Sequence, residues 1–200
     1  MSTKAVKNTQ QGITFGSFNN IAKLTDEVLS LWTELMGEHE SSSLVLKNRM
    51  FADEFIKNRL KTFFEERGIN SDRLKLIEHT KSMTDHLRLY DDIDIALDPF
   101  PYNGTTTSCE ALWMGVPVVT LAKDSHRSRV SASILNQLGY QDWVAYSAKE
   151  YKSIISKLIN DQTLRQELRQ SLRTTMVNSN LCNSTNFAQQ FESALLQIIQ

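Results

Sequence analysis

The stretch that most constrains this chain runs from Asp94 to Leu121, DIALDPFPYNGTTTSCEALWMGVPVVTL. Ile93, Ile95 and Leu97, with Ala96 between them, form a short apolar run suited to a strand buried on both faces. Pro99 and Pro101 stop it, because each removes a ladder donor and fixes φ. Asn103-Gly104 is a turn signal, in which Gly104 either takes φ > 0 or lets another group approach the backbone closely. Thr105, Thr106 and Thr107 follow as N-cap and first-turn residues. Cys109 to Trp113 continue as a helix, which Gly115 and Pro117 close. Val116 to Leu121 is a second buried strand, so the stretch folds as a βαβ unit with a hydroxyl-rich helix start at its open end.

That open end suits an anion. A helix start carries unpaired N–H groups and a partial positive charge, and both favour phosphate. Three threonine hydroxyls can donate to the same group. Glu110 lies one turn in, and helical side chains lean back toward the N-terminus, so its carboxylate can reach a ribose diol beside the phosphates. The same residues also read as an ordinary capped helix with a surface glutamate, because the glycine signal is weaker than a full dinucleotide fingerprint.

Alternating strand and helix patterns extend over the whole chain. Gly12 to Phe18 is a first strand, and Thr25 caps a helix running to about His39. Leu44 to Leu46 is a second strand, followed by a helix from Asp53 to Arg67. Leu74 to Ile77 is the third, with a short helix from Met83 to Tyr90 before the central unit. A helix from Ser125 to Leu138 and a short strand at Trp143 to Ala145 come after it. Ser147 or Ala148 opens a helix through Leu158, Asp161 caps another to Met176, and 186–199 is a final amphipathic helix with Phe187, Phe191, Leu195 and Ile198 aligned. The pattern predicts an α/β fold, a Rossmann-like doubly wound parallel sheet. Residues 1–11 are expected to be a disordered lead or linker, and 12–200 a single Rossmann-like domain.

Ligands of such sheets bind at the carboxyl ends of the strands. Asn20 and Lys23 follow the first strand, Lys81 and His86 the third, and Gly104 to Glu110 the fourth. Convergence of these segments at one rim points to a phosphate-bearing ligand. The 22 Lys and Arg against 23 Asp and Glu leave a net charge of −1, without the basic excess that nucleic acid attracts. No apolar run approaches a membrane span, and Cys109 and Cys182 have no metal or redox spacing, so a cytoplasmic protein is expected. Asp91-Asp92-Ile93-Asp94 resembles a metal-binding cluster but straddles a helix end and a buried strand. Trp32, Trp113 and Trp143 are expected in the core, and His39, His79 and His126 at structural or surface positions.

The residues at 97–121, together with FNNIAK at 18–23, DHLRLY at 85–90 and SRVSASILNQLG at 128–139, resemble the C-terminal half of the catalytic region of O-linked N-acetylglucosaminyltransferases, in particular the SPINDLY type. The resemblance covers about residues 12–200 and implies one half of a GT-B glycosyltransferase fold. It implies that Lys23 contacts the donor diphosphate and steadies the leaving group as the catalytic residue, with Asn20 beside it. His86 then stacks on the base and the backbone at Lys81 pairs with the base edge. Gly104, Thr105, Thr106 and Thr107 hold the phosphates and Glu110 the ribose. The implied function is an inverting, metal-independent transfer of N-acetylglucosamine from UDP-GlcNAc to protein Ser/Thr hydroxyls, with no other cofactor. Met83, Leu89, Glu110 and Thr105 depart from the animal enzymes, so UDP-glucose and GDP-fucose stay open as donors. Partners implied are the nucleotide sugar, a protein acceptor, and an N-terminal catalytic half with tetratricopeptide repeats in cis or trans, without which these residues are expected to be inactive. The alternative is a non-catalytic interaction module that keeps the scaffold and docks through helix 186–199.

Overall fold

The computed structural model describes residues 12–199; the lead expected at 1–11 lies outside the described residues. Six strands form one sheet: β1 Thr14–Ser17, β2 Ser43–Lys47, β3 Leu74–Ile77, β4 Ile95–Leu97, β5 Val118–Leu121 and β6 Val144–Ala145. Every pairing is parallel, in the order β3-β2-β1-β4-β5-β6. The helices between and after them are α1 Asp26–Glu38, α2 Glu54–Glu65, α3 Met83–Arg88, α4 Thr106–Trp113, α5 Val130–Gln137, α6 Ala148–Asn160, α7 Gln162–Val177 and α8 Ser184–Ile199. The strand order reverses where β1 pairs with β4, which is where ligands of open parallel sheets bind.

The strands form where the sequence is apolar on both faces. Phe15, Leu44, Leu46, Ile95 and Val119 are buried, and Ile93 packs over Gly16, where a Cβ would meet its side chain at 2.8 Å. Helix starts follow local chemistry: Thr25 and Asp161 accept from the N–H groups of Val28 and Leu164, as the sequence predicts, and of the two residues left open at the start of α6, Ser147 is the cap, accepting from the Glu150 N–H. Trp32 is fully buried and its Nε1 donates to Tyr151 Oη at 3.3 Å, joining α1 to α6. Asp94 belongs to this framework, for its Oδ2 accepts from the Thr14 N–H at 2.8 Å. Among the described residues no group of three His, Cys, Asp or Glu is arranged to hold a metal ion, and no helix is long and apolar enough to cross a membrane.

Two departures have local causes. The helix expected over 125–138 is a 3-10 turn, His126–Ser128, followed by α5. Ser128 donates to the Ser125 carbonyl at 2.7 Å, the kind of side-chain bond that competes with helical pairing. The helix expected over 83–90 ends at Arg88 and tightens into a 3-10 turn, Leu89–Asp92. There Arg169 of α7, buried, donates to the carbonyls of Tyr90, Ile93 and Met114. α7 therefore presents arginine inward: Arg165, also buried, donates to the carbonyls of Leu158 and Ile159. Close packing of α7 requires Gly115, with φ +79°, since a Cβ there would lie 2.6 Å from the Arg169 carbonyl oxygen. α8 buries none of its residues, and Phe187 and Ile198 are 67% and 80% exposed.

Candidate functional site

The loop from Asp98 to Thr105 and the start of α4 form the centre of the site. Thr105 stands at the N-cap position with φ −130° and ψ −78°, and its side chain makes no capping hydrogen bond. The first N–H groups of α4 are thus left without a capping hydroxyl and carry the helix's partial positive charge. Thr105 and Thr106 are exposed. Thr107 turns inward, its Oγ1 donating to Asn19 Oδ1 at 2.9 Å, which ties α4 to the end of β1. Gly104 does not adopt positive φ; it lies where a Cβ would sit 2.5 Å from Ser108 Oγ, 2.6 Å from Thr107 Oγ1 and 2.9 Å from Asp98 Oδ1. Of the two reasons the sequence allows for this glycine, close approach is the one that applies.

Lys23 arrives from the β1–α1 connection. Its Nζ donates to the Asn103 carbonyl at 2.8 Å and stands 4.2 Å from the centroid of the Tyr102 ring. Partial burial pushes its pKa down, and the negative charge of Asp98 opposes that shift. Asn20 is exposed, and its Oδ1 caps the short 3-10 turn Ile21–Lys23 by accepting from the Ala22 N–H at 3.0 Å. It therefore sets the turn that delivers Lys23.

His86 and Glu110 meet one turn along α4. His86 Nε2 lies 2.9 Å from Glu110 Oε2, with both side chains largely covered, and His86 Nδ1 is buried without a hydrogen-bond partner. Phe18 and Tyr90 wall the imidazole, at ring-centroid distances of 5.7 and 5.8 Å. Tyr90 Oη donates to the Thr107 carbonyl at 3.3 Å; burial, then the charge of Glu110, pushes its pKa well up. Lys81 is exposed on the β3–α3 connection. A cleft of about 540 Å³ opens beside this group, lined by Phe18, Asn20, Lys47, Arg49 and His79 among others. Burial lowers the pKa of Lys47 and the charge of Glu110 raises it, so the two lie within electrostatic reach.

The structure thus brings Lys23, Gly104, the threonines, Glu110 and His86 to one rim. Sequence reasoning passed over Asn19 and Asp98. Asp98 is 2% exposed; its Oδ1 accepts from the Gly104 N–H at 2.6 Å and its Oδ2 from Thr120 Oγ1 at 2.7 Å. Burial raises its pKa from 3.8 to about 6 against those hydrogen bonds. An aspartate ending an apolar strand before proline was the available signal.

A parallel sheet of this order, with helices between its strands, is Rossmann-like, and the bare helix start, the lysine and the histidine–glutamate pair lie at its carboxyl rim. Residues 2–191 match the profile of glycosyl transferase family 41, and the chain belongs to that family. It is 42% identical over 182 residues to the probable UDP-N-acetylglucosamine–peptide N-acetylglucosaminyltransferase SPINDLY of Arabidopsis thaliana, covering 91% of this chain and 20% of that protein. It is 28% identical over 186 residues to the UDP-N-acetylglucosamine–peptide N-acetylglucosaminyltransferase of Caenorhabditis elegans, covering 93% of this chain and 16% of that protein. Among solved structures, a Thermobaculum terrenum O-GlcNAc transferase mutant matches with a TM-score of 0.88 at 34% identity, over 98% of this chain and 37% of that one. The chain corresponds to the C-terminal catalytic region of these enzymes and spans about a fifth of the plant relative's length.

Proposed function

We propose that this chain is the donor-binding half of an inverting, metal-independent glycosyltransferase that moves N-acetylglucosamine from UDP-GlcNAc to Ser/Thr hydroxyls of proteins. The observation that carries the reading is the convergence of Lys23, the uncapped start of α4 and the His86–Glu110 pair at one rim. In this reading the diphosphate lies over the α4 N-terminus, against Thr105, Thr106 and the ammonium of Lys23, with Asn20 fixing the lysine's turn. The base stacks on His86 and pairs with the backbone at Lys81. Glu110 exchanges its hydrogen bond with His86 for the ribose hydroxyls.

As the bond from the sugar to the diphosphate breaks, negative charge grows on the departing oxygen. Fixed N–H dipoles, threonine hydroxyls and one lysine stabilise that charge without having to reorganise, and no metal is called on. The base that takes the acceptor hydroxyl's proton is supplied by an N-terminal catalytic half and the protein acceptor is held by tetratricopeptide repeats, in cis or trans, with the exposed apolar face of α8 available to pack against the catalytic half. Alone, these residues bind the donor and transfer nothing. UDP-GlcNAc is the leading donor from the names of the relatives, and UDP-glucose and GDP-fucose are the alternatives. Calorimetric titration with UDP, UDP-GlcNAc and GDP tests the reading. It predicts saturable binding of at least one, and no heat with any of them at millimolar ligand refutes it.

A further inference from the structure

We propose that Asp98 is a positioning residue that sets the shape of the diphosphate cradle, an assignment that rests on the nucleotide-sugar reading above. A carboxylate directly behind an anion site is unfavourable by charge alone. Complete burial adds a desolvation cost. What it does in return is visible in its partners. Its two oxygens take the Gly104 N–H and the Thr120 hydroxyl, at 2.6 and 2.7 Å, linking β4, the loop and β5. The carbonyl of the same glycine is held from α5, where Ser131 Oγ donates to it at 3.1 Å. Ser131 in turn lies 2.9 Å from Ser108 Oγ, in the first turn of α4.

Both ends of the Gly104 residue are therefore gripped by buried side chains, one residue before the bare helix start and one residue after the carbonyl that Lys23 holds. The orientation of Thr105 and of the first α4 N–H groups follows from that grip. Asp98 does not touch the ligand; it fixes the groups that do. Because its hydrogen bonds run to the loop and to β5 and not to His86 or Glu110, its loss weakens recognition of the diphosphate and spares recognition of the nucleoside, which rests on those two residues.

The test compares a nucleoside diphosphate with its monophosphate in wild type, Asp98→Ala and Asp98→Asn, using UDP with UMP and GDP with GMP by calorimetry, and circular dichroism to verify the fold. Asp98→Ala is expected to lower diphosphate affinity at least tenfold and monophosphate affinity less than threefold. Asp98→Asn, which keeps an acceptor for the Gly104 N–H, is expected to recover diphosphate affinity to within threefold of wild type. A folded Asp98→Ala protein with wild-type diphosphate affinity, or with equal losses for both ligands, overturns the assignment. If Asp98→Ala does not fold, Ser131→Ala decides, since it frees only the Gly104 carbonyl. A three- to tenfold loss for the diphosphate supports the role and unchanged affinity refutes it. Absence of binding by the wild-type protein to either diphosphate instead defeats the nucleotide reading, and this assignment with it.

Discussion

Replacing Lys23 by alanine is the perturbation whose size follows most directly from the geometry. The ammonium is held over the loop by one hydrogen bond to the Asn103 carbonyl, 2.8 Å, and by the Tyr102 ring, 4.2 Å away. Both contacts are partly open to solvent, so their loss costs the fold no more than about 1 kcal/mol. A bond from the same ammonium to a diphosphate oxygen is charge-assisted and contributes ~1.5–3 kcal/mol. At ~1.4 kcal/mol per tenfold, Lys23→Ala therefore weakens diphosphate binding roughly ten- to hundredfold while thermal stability stays near wild type. Partial burial also pushes the lysine pKa down. In the wild type, then, binding declines with rising pH before an ordinary lysine would lose its proton, and the alanine variant lacks that alkaline arm. Calorimetry of both proteins with UDP across the alkaline range measures both effects. Unchanged affinity in a folded Lys23→Ala protein refutes the assigned role, and so does an identical alkaline profile.

Three further predictions concern the framework beneath the site. Gly104→Ala places a methyl group within 2.9 Å of Asp98, Thr107 and Ser108 oxygens, so it should destabilise by ~1–3 kcal/mol and weaken diphosphate binding; an unchanged urea midpoint contradicts the close-packing account. Arg169→Ala strands the buried carbonyls of Tyr90, Ile93 and Met114 and should cost ~3–5 kcal/mol in chemical denaturation, whereas a loss below about 1 kcal/mol means those carbonyls find other partners. Asp98 holds its proton more tightly folded, at about 6, than at the 3.8 of an unperturbed carboxyl, so its contribution is most favourable below pH 4 and is lost as pH rises from about 4 to 6. That loss is on the order of 3 kcal/mol, and Asp98→Asn should flatten this segment of the pH–stability curve; an unaltered curve contradicts it.

Much of this arrangement is legible in the sequence because it is local. The βαβ unit around Asn103-Gly104 follows from proline, glycine and apolar periodicity, and the caps at Thr25 and Asp161 from single polar residues before amphipathic runs. That Lys23, Thr105 and Glu110 come together is legible because strand ends share one rim in a parallel sheet. The parts that escape depend on partners distant in sequence. Nothing in the sequence sets Arg165 and Arg169 apart from other helical arginines, and only the fold shows the carbonyls they satisfy. Of the adjacent Asn19 and Asn20, spacing cannot tell which turns inward; Asn19 does, to receive the Thr107 hydroxyl across 88 residues. Asp98 escapes because its donors, Gly104 and Thr120, meet it only after β4 and β5 pair. The link between His86 and Glu110 is likewise a tertiary contact, 24 residues apart.

The central claim is that one nucleotide lies across Lys23, the α4 N-terminus and the His86–Glu110 pair at once. Amide and histidine side-chain NMR of the isotope-labelled chain, titrated with UDP and with GDP, tests this most directly. The account predicts that the signals of Lys23, Gly104 to Thr107 and His86 move together along one binding curve. Shifts confined to other surfaces, or separate curves for the loop and the histidine, contradict it.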